Sequence, residues 1–287
     1  MEKPDYNSQT PFSLPRRRRD ASKRDFGRLL IVAGSVGYTG APSLASRAAV
    51  RGGAGLVYLG VPEAIYAVTA VKNDEAMPFP LKCGPDGLIS PEALPELEER
   101  MAKCDVLAVG PGLGRSDGIV ELVSGLLRAS RVPTVLDADA LWAVSRAPEA
   151  LSEAGCSVVL TPHTGEFERL GGSVSAPREE AAVSFARSHG CAVVLKGQGT
   201  VCAFPDGDWS VNTTGNPGMA RGGSGDVLTG LMGALLCYLP FRRAVRTAVY
   251  LHGLAGDLCA ARLGEYGMTP MDMIGRIPDA MKSITEE

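Results

Sequence analysis

The chain has 287 residues, a hydrophobic content of 45% and a formal net charge of −3, values that are ordinary for a globular protein with a full core. A weakly negative charge argues against nucleic-acid and membrane-surface roles, and the basic cluster at 16–19 is interpreted as part of a solvated arm. The seven cysteines form no C-x-x-C pair, the N-terminus has no apolar signal core, and no apolar stretch is long enough to span a membrane. We therefore expect a cytoplasmic protein with reduced cysteines.

Residues 1–25 are polar, basic and rich in Pro and Ser, which predicts a mobile or wrapping arm. Short apolar runs then alternate with helical patterns. The runs predict buried parallel strands at Leu29–Ala33, Gly55–Val61, Val106–Val109, Thr134–Leu136, Ser157–Leu160 and Ala192–Leu195. Helices are predicted at about 40–52, 91–103, 116–130, 139–146 and 177–189, followed by a hairpin (TVCAF, PDGDW, SVN) and two long helices at about 224–238 and 241–262. This order predicts one α/β domain over 26–287, with a mainly parallel central sheet and helices on both faces.

Nearly every predicted strand ends in a glycine-rich or polar segment: VAGSVGYTG, AVGPGLG, VLDADA, VLTPHTGEF and VLKGQGT. Ligands of open α/β sheets bind outside the carboxyl ends of the strands. Each segment alone is also explained by the needs of tight turns and helix caps. Together they predict one extended polar cleft.

Residues 215–230 read GNPGMARGGSGDVLTG, a glycine-rich turn that opens a predicted helix. Such a turn suits an anion, because free N–H groups and the helix dipole face the ligand. A carboxylate at Asp226 would repel a phosphate, so its presence needs an explanation. There is no Walker motif, and AGSVGYTG lacks the G-x-G-x-x-G spacing of a Rossmann dehydrogenase.

Several polar residues at the strand ends have two interpretations each. Asp137 and Asp139 would either bind Mg²⁺ through water or, most readily for Asp139, cap the next helix. His163 would either hydrogen-bond a ligand or, as lone histidines more often do, have a structural role, and Glu166 would either reach metal-bound water or cap a helix. Lys196 suits a nucleotide phosphate or ribose, or an internal ion pair.

Two further histidines are given structural roles. His189 stands at a predicted helix end before Gly190, where its ring would interact with the helix dipole. His252 lies within an apolar helical run and is expected in the core.

The segments FGRLLIVAGSVGYTGA, AVGPGLG, VLDADAL, VLTPHTGEFERL, VVLKGQGT and GNPGMARGGSGDVLTG occur in this order between about residues 26 and 278. In them the chain resembles the bacterial ADP-dependent NAD(P)H-hydrate dehydratases, which have the ribokinase-like fold. The resemblance implies that (6S)-NAD(P)HX and ADP are converted to NAD(P)H, AMP and phosphate. Three departures are visible: Trp142 where Asn is common, Thr164 where Pro is common, and Arg221 where Thr is usual.

The resemblance also implies roles for individual residues. Contacts with the hydrated dinucleotide are implied for Ala41, Gly112 or Gly114, His163 and Asp226. Contacts with the adenine nucleotide are implied for Lys196, Gly197, Gln198, Gly199, Thr200 and Gly225.

These roles lead to a mechanistic prediction. Asp226 is expected to deprotonate the C6 hydroxyl of the hydrate as that oxygen attacks the β-phosphorus of ADP. The N–H groups of Gly223, Ser224 and Gly225 would form an anion hole. Mg²⁺ would bridge the phosphates, with ligands that the sequence does not identify.

The expected partners are small molecules, with no nucleic acid or membrane. A homotetramer is expected by analogy with relatives. Only about 25 residues precede the match, so the epimerase that interconverts the R and S hydrates is expected on a separate protein. Two alternatives stay open: an ATP-dependent kinase of the same fold acting on a vitamin precursor or sugar, and a non-catalytic nucleotide sensor.

Overall fold

The computed structural model describes residues 12–286, whose strands form one nine-stranded sheet in the order β3-β2-β1-β4-β5-β6-β7-β8-β9. The strands are β1 (Arg28–Val32), β2 (Leu56–Pro62), β3 (Met77–Leu81), β4 (Val106–Val109), β5 (Thr134–Leu136), β6 (Val158–Leu160), β7 (Ala192–Leu195), β8 (Val201–Ala203) and β9 (Trp209–Val211). β1 to β7 pair in parallel, whereas β8 and β9 are antiparallel. The six predicted strands and the hairpin are confirmed.

Helices cover both faces of this sheet. They are α1 (Gly40–Arg51), α2 (Glu63–Lys72), α3 (Leu94–Met101), α4 (Asp117–Ala129), α5 (Asp139–Arg146), α6 (Glu149–Ser152), α7 (Thr164–Arg169), α8 (Arg178–His189), α9 (Ser224–Leu236), α10 (Phe241–Gly267) and α11 (Pro270–Ser283). Alternate residues of β1 enter different cores: Leu29 and Ile31 pack with α1, α9, α10 and α11, whereas Leu30 and Val32 pack with α3, α4 and α5. The predicted α/β layering is confirmed.

β3, α2, α6 and α11 were not predicted, and prolines explain two of these elements. β3 carries Pro78 and Pro80, which argue against a strand, yet an edge strand tolerates prolines because its outer N–H groups need no partner. α11 contains Pro278 but starts with a capping box between Thr269 and Asp272. The other two are α2, which directly follows β2, and the four-residue helix α6.

The chain reverses its direction of travel across the sheet between β1 and β4. From β1 it runs outward through β2 and β3, then returns to place β4 on the other side of β1. The loops that follow β1 and β4 meet at this switch point, where Gly34 N donates to Pro111 O (2.8 Å) and Ser35 Oγ donates to Gly112 O (2.8 Å). A crevice at such a point is the usual ligand site of an open α/β sheet.

The described part of the predicted arm wraps around the domain. Leu14 is buried, its N–H donates to Ile284 O (2.8 Å), and its carbonyl accepts from Glu286 N (3.0 Å). Arg17 stacks on the Phe26 ring at 3.6 Å. Residues 1–11 of the arm lie outside the described residues.

Two other expectations concern the whole chain. All seven cysteines are free thiols. Among residues 12–286, no helix combines the length and the apolarity needed to cross a bilayer.

Candidate functional site at the carboxyl ends of the strands

A buried ion pair lies at the centre of the site. Asp137 follows β5, is 2% exposed, and accepts hydrogen bonds from Lys196 Nζ (2.8 Å), Thr161 Oγ1 (2.7 Å) and Thr229 Oγ1 (2.8 Å). Both of its carboxylate oxygens therefore have protein donors. Of the two roles predicted for Lys196, the internal ion pair is present, and 21% of the lysine side chain stays exposed.

Both members of the pair are held in their charged forms. Burial opposes the charge of Asp137, but Lys196 and the two threonine hydroxyls together hold the pKa of Asp137 below its usual value. Burial also opposes the ammonium of Lys196, yet the Asp137 and Glu166 carboxylates raise its pKa. The site thus holds a charged ammonium that is paired with Asp137 and stays partly exposed where an anionic ligand would bind.

The glycine-rich stretch ends at the first turn of α9, beside this pair. Gly223 is the N-cap residue with φ of +98°, and a β-carbon there would lie 2.7 Å from Leu44 Cδ1, so only glycine fits without strain. A β-carbon on Gly225 would lie 3.4 Å from Lys196 Nζ. The helix start and the lysine therefore face the same space.

The first turn of α9 presents hydrogen-bond donors. Ser224 N makes a long bond to Arg221 O (3.4 Å). The N–H groups of Gly223, Gly225 and Asp226 have no acceptor among residues 12–286, and no side chain caps this helix. Two of the three predicted anion-hole N–H groups are thus available, and Asp226 adds a third that the sequence reasoning missed.

Asp226 contributes a further carboxylate to the site. Burial, with smaller contributions from Asp137 and Asp139, raises the pKa of Asp226 to about 6, although Lys196 opposes the shift. Its oxygens accept no hydrogen bond within the described chain. A partly buried, unpartnered carboxylate with a pKa near 6 is suited to accept a proton at neutral pH.

His163 is the N-cap residue of α7 and lies next to the ion pair. Its Nδ1 accepts from Gly165 N (3.1 Å) and Glu166 N (3.3 Å), so the proton of the neutral ring is on Nε2. Glu166 Oε2 accepts from His163 N (2.8 Å) and lies 3.8 Å from Lys196 Nζ. Of the two roles considered for Glu166, the structure shows helix capping. The His163 side chain is 58% exposed, and its Nε2 lies 3.5 Å from Glu166 Oε1, a distance too long for a strong hydrogen bond, so the Nε2–H is open to a ligand.

The predicted nucleotide residues form a tight turn after β7. Lys196 N donates to Pro162 O (2.8 Å), which sets this turn beside His163. Thr200 Oγ1 donates to Gly197 O (2.9 Å) and closes the turn. Gln198 is exposed at its tip, and Gly199 has φ of +64°.

Ala41, Gly112 and Gly114 form a second group at the switch point. A β-carbon on Gly112 would lie 3.2 Å from the Ala41 β-carbon, so α1 and the GPGLG turn are in contact. Asp139 Oδ2 accepts from Gly114 N (3.0 Å), and Asp139 also raises the pKa of Asp226. This aspartate therefore joins the second group to Asp226.

The capping role predicted for Asp139 is wrong. Ala138 is the N-cap residue of α5, and the Asp139 carboxylate binds Gly114 N and Arg115 Nε (2.9 Å) instead. Ala138 has φ of +50°. Among residues 12–286 it is the only residue other than glycine with a positive φ. This turn directs Asp137 towards Lys196 and Asp139 towards the GPGLG loop, at a cost of about 1–3 kcal/mol of strain.

Relief of this strain is measurable. We expect Ala138→Gly to raise the free energy of unfolding by about 1 kcal/mol, because the strain removed exceeds the entropy cost of glycine. Urea denaturation measures the change. Ala140→Gly, two residues on in regular helix, is the matched control and should lose about 1 kcal/mol. Equal losses in both variants would contradict the strain.

The other two histidines differ in outcome. His189 ends α8, and its Nδ1 lies 3.0 Å from Phe185 O in the last turn, in agreement with the prediction. His252, expected in the core, instead supports the site: its Nε2 donates to Ser224 O (2.8 Å). Desolvation lowers the pKa of His252 to about 4, so its ring is neutral at pH 7.

The departures at positions 142 and 221 have structural explanations. Trp142 is half-buried against the core beneath α4 and α5. Arg221 Nη2 donates to Tyr266 O (3.1 Å) at the end of α10. The guanidinium is therefore tied to α10.

The predicted Mg²⁺ has no protein cage. Within the described chain, no three His, Cys, Asp or Glu side chains come together to hold a metal ion. Asp137, Asp139 and Glu166 already accept from protein donors. The residues present suit a Mg²⁺ ion that arrives on the phosphates of a nucleotide.

The chain is similar to several known proteins. It is 44% identical over 279 residues to the bifunctional NAD(P)H-hydrate repair enzyme Nnr of Moorella thermoacetica, covering 96% of this chain and 53% of that protein. The chain thus spans about half the length of the curated relatives it matches.

Solved structures show the same similarity at the level of the fold. An ADP/ATP-dependent NAD(P)H-hydrate dehydratase from Bacillus subtilis, co-crystallised with ATP/Mg²⁺, superposes with a TM-score of 0.79 at 31% identity and covers 95% of both chains. A ribokinase-like superfamily protein from Enterococcus faecalis gives a TM-score of 0.83 at 27% identity, over 96% of this chain and 93% of that one. The fold is therefore ribokinase-like. Since the sequence profile of the NAD(P)H-hydrate dehydratase family matches residues 29–279, this chain belongs to that family.

Proposed function

We propose that this chain dehydrates (6S)-NADHX and (6S)-NADPHX to NADH and NADPH, with ADP as the phosphoryl donor and AMP and phosphate as the other products. The observation that carries the proposal is the first turn of α9, where the unpartnered Asp226 carboxylate lies beside unbonded N–H groups and Lys196. The matched family and the Moorella relative support the hydrated substrate. The Bacillus structure supports an adenine nucleotide.

Each residue has a distinct part in the first step. Asp226 takes the proton of the C6 hydroxyl while that oxygen attacks the β-phosphorus of ADP, and the bond from this phosphorus to the bridging oxygen breaks to release AMP. The N–H groups of Gly223, Gly225 and Asp226 stabilise the charge on the transferred phosphoryl group. The Lys196 ammonium neutralises the leaving phosphate. Mg²⁺ bound to the nucleotide would reduce phosphate repulsion.

The second step restores the ring. The C6–O bond breaks with its electron pair on phosphate, the ring-nitrogen lone pair supplies electrons, and the double bond returns after proton loss from C5. His163 Nε2–H, the Ala41 helix start and the 112–114 turn would hold the hydrated ring and its phosphates during both steps. This arrangement explains a carboxylate in an anion site: it faces the acceptor hydroxyl, and the glycines face the donor phosphate.

The neighbouring reaction follows from the stereochemistry. An enzyme specific for the S hydrate leaves the R hydrate behind, so an epimerase must supply the remaining substrate. We propose that an epimerase activity accompanies this one, and the relative from Moorella, which is called a bifunctional NAD(P)H-hydrate repair enzyme, supports the pairing of two repair activities.

The test is an absorbance assay at the wavelength of reduced nicotinamide. Purified protein with (6S)-NADPHX, ADP and Mg²⁺ should restore the absorbance and release AMP and phosphate in equal amounts. ATP in place of ADP, in a parallel assay, measures the donor preference. Flat absorbance together with phosphorylation of a vitamin or sugar alcohol from ATP would identify a kinase, and nucleotide binding without either reaction would identify a sensor.

A further inference from the structure

Arg178, the first residue of α8, lies directly under the turn that follows β7. Its Nη2 donates to the carbonyl oxygens of Leu195 (2.8 Å) and Lys196 (3.1 Å). These two carbonyls end the strand and begin the predicted nucleotide turn. One guanidinium nitrogen therefore fixes the backbone from which the Lys196 side chain projects.

The contact continues along the turn. Gly197 has φ of +151°, and a β-carbon there would lie 2.9 Å from Arg178 Nη2, so the guanidinium packs flat against the glycine backbone. Nε is buried without a partner, and no carboxylate of residues 12–286 lies within 4 Å of this side chain. Its charge is balanced only by backbone and hydroxyl oxygens. Arg178 as a whole is half-buried, and a partly desolvated charge without a counter-ion is costly.

The second terminal nitrogen of the Arg178 guanidinium reaches the part of the site that we propose binds the hydrated dinucleotide. Arg178 Nη1 lies 3.4 Å from Thr164 Oγ1, next to His163. Arg178 thus joins the 196–200 turn to the start of α7, a connection that a flexible ammonium could not make in two directions at once.

We propose that Arg178 is the positioning residue that holds the 196–200 turn in register with His163, so that the adenine nucleotide binds in line with the second substrate. The inference rests on the proposed nucleotide site. Arg178 acts through the turn and takes no part in proton transfer, so it should govern nucleotide affinity and leave the Asp226 step unchanged.

The experiment compares Arg178→Lys, which keeps the charge and loses the fork, with Arg178→Met, which loses both. Titration calorimetry with ADP and Mg²⁺ should show a Kd about tenfold higher in each variant. The KM for (6S)-NADPHX should change less than threefold, and the pH dependence of kcat should be unchanged. Arg187→Lys, at the exposed far end of α8, is the matched control and should leave the Kd for ADP unchanged.

Thr164→Val gives an independent check at an exposed position. It should raise the Kd for ADP about twofold to threefold, and the double variant with Arg178→Met should be no weaker than Arg178→Met alone. If Arg178→Met fails to fold, Arg178→Lys and Thr164→Val decide the matter.

Two outcomes would overturn the inference. One is a Kd for ADP in Arg178→Lys that equals the wild-type value. The other is a variant in which the Kd and both KM values rise while kcat falls, as substitution of a purely structural residue would produce. Calorimetry needs no turnover, so the two proposals fail separately. ADP binding that weakens in the variants without any dehydration in the wild type would refute only the proposed reaction.

Discussion

Asp226→Asn should lower kcat by about 10²–10⁴, the usual loss when a general base is removed, with the Kd for ADP changed less than threefold. The amide keeps the shape of the side chain but cannot accept the proton of the C6 hydroxyl. The N–H groups of the first turn of α9 and Lys196, which would bind phosphate, are untouched. Asp117→Asn, an exposed acid in the first turn of α4, is the matched control for a lost helix-terminal charge and should turn over normally.

The pH dependence tests the same role. Because the pKa of Asp226 is raised to about 6, kcat of the wild-type protein should rise tenfold per pH unit below about 6 and level off above it. This limb should be missing from the residual activity of Asp226→Asn. Turnover near the wild-type value, or a limb that survives the substitution, would refute the role of the carboxylate.

The stability of the folded protein should depend on pH in the opposite sense to kcat, because protonation of Asp226 favours the folded state. The folded-state pKa of Asp226 lies above the unfolded value of 3.8, so the folded protein binds a proton more tightly than the unfolded chain does. The stability that this proton confers is complete below the unfolded pKa and is lost as the pH rises through about 6. Asp226→Asn should therefore have a higher Tm than the wild type at pH 8 and an equal Tm at pH 3.

The second large effect concerns Asp137. Asp137→Asn should lower the free energy of unfolding by about 3–5 kcal/mol, because it leaves the largely desolvated Lys196 ammonium without its carboxylate. The amide nitrogen cannot accept from Lys196, Thr161 or Thr229, so at least one of these donors also loses its partner. Urea denaturation at pH 7 measures the loss, and Asp74→Asn, at an exposed position, should stay within about 0.5 kcal/mol of the wild type.

Activity gives Asp137→Asn a second readout. The charge of Asp137 raises the pKa of Asp226, so its removal should move the acidic limb of the kcat profile to lower pH. Thr229→Val removes one donor, keeps the charge, and should lose about 1–2 kcal/mol with the limb in place. A loss below 1 kcal/mol in Asp137→Asn would contradict the importance of the ion pair.

The sequence predicted correctly those strands whose burial on both faces requires an apolar amino-acid composition. Strands β1 and β4 to β7 are buried on both faces and consist of apolar runs that carry their own signal. β3 has no such signal, because an edge strand accommodates prolines that a central strand would not. The positions of Asp137, His163 and Lys196 followed from strand order, since carboxyl ends of parallel strands share one edge.

The partners of these residues did not follow from the sequence. Asp139 looked like a cap, and only the positive φ of Ala138 moves the helix start by one residue and turns the carboxylate towards the GPGLG loop. Arg178 and His252 contact segments that are 17 and 28 residues away in the chain. No periodic pattern identifies a single side chain that reaches the site from the end or the back of a helix.

The wrapping of the arm has a mechanical consequence. Leu14 is hydrogen-bonded between Ile284 and Glu286, and Ser13 accepts from Arg243 on α10. Residues 13 and 14, near the beginning of the described chain, are thus hydrogen-bonded to α10 and to the residues that follow α11, near its end. Neither segment can unfold locally without exposing the other to solvent. We therefore expect the two segments to open in one cooperative step and not to fray independently.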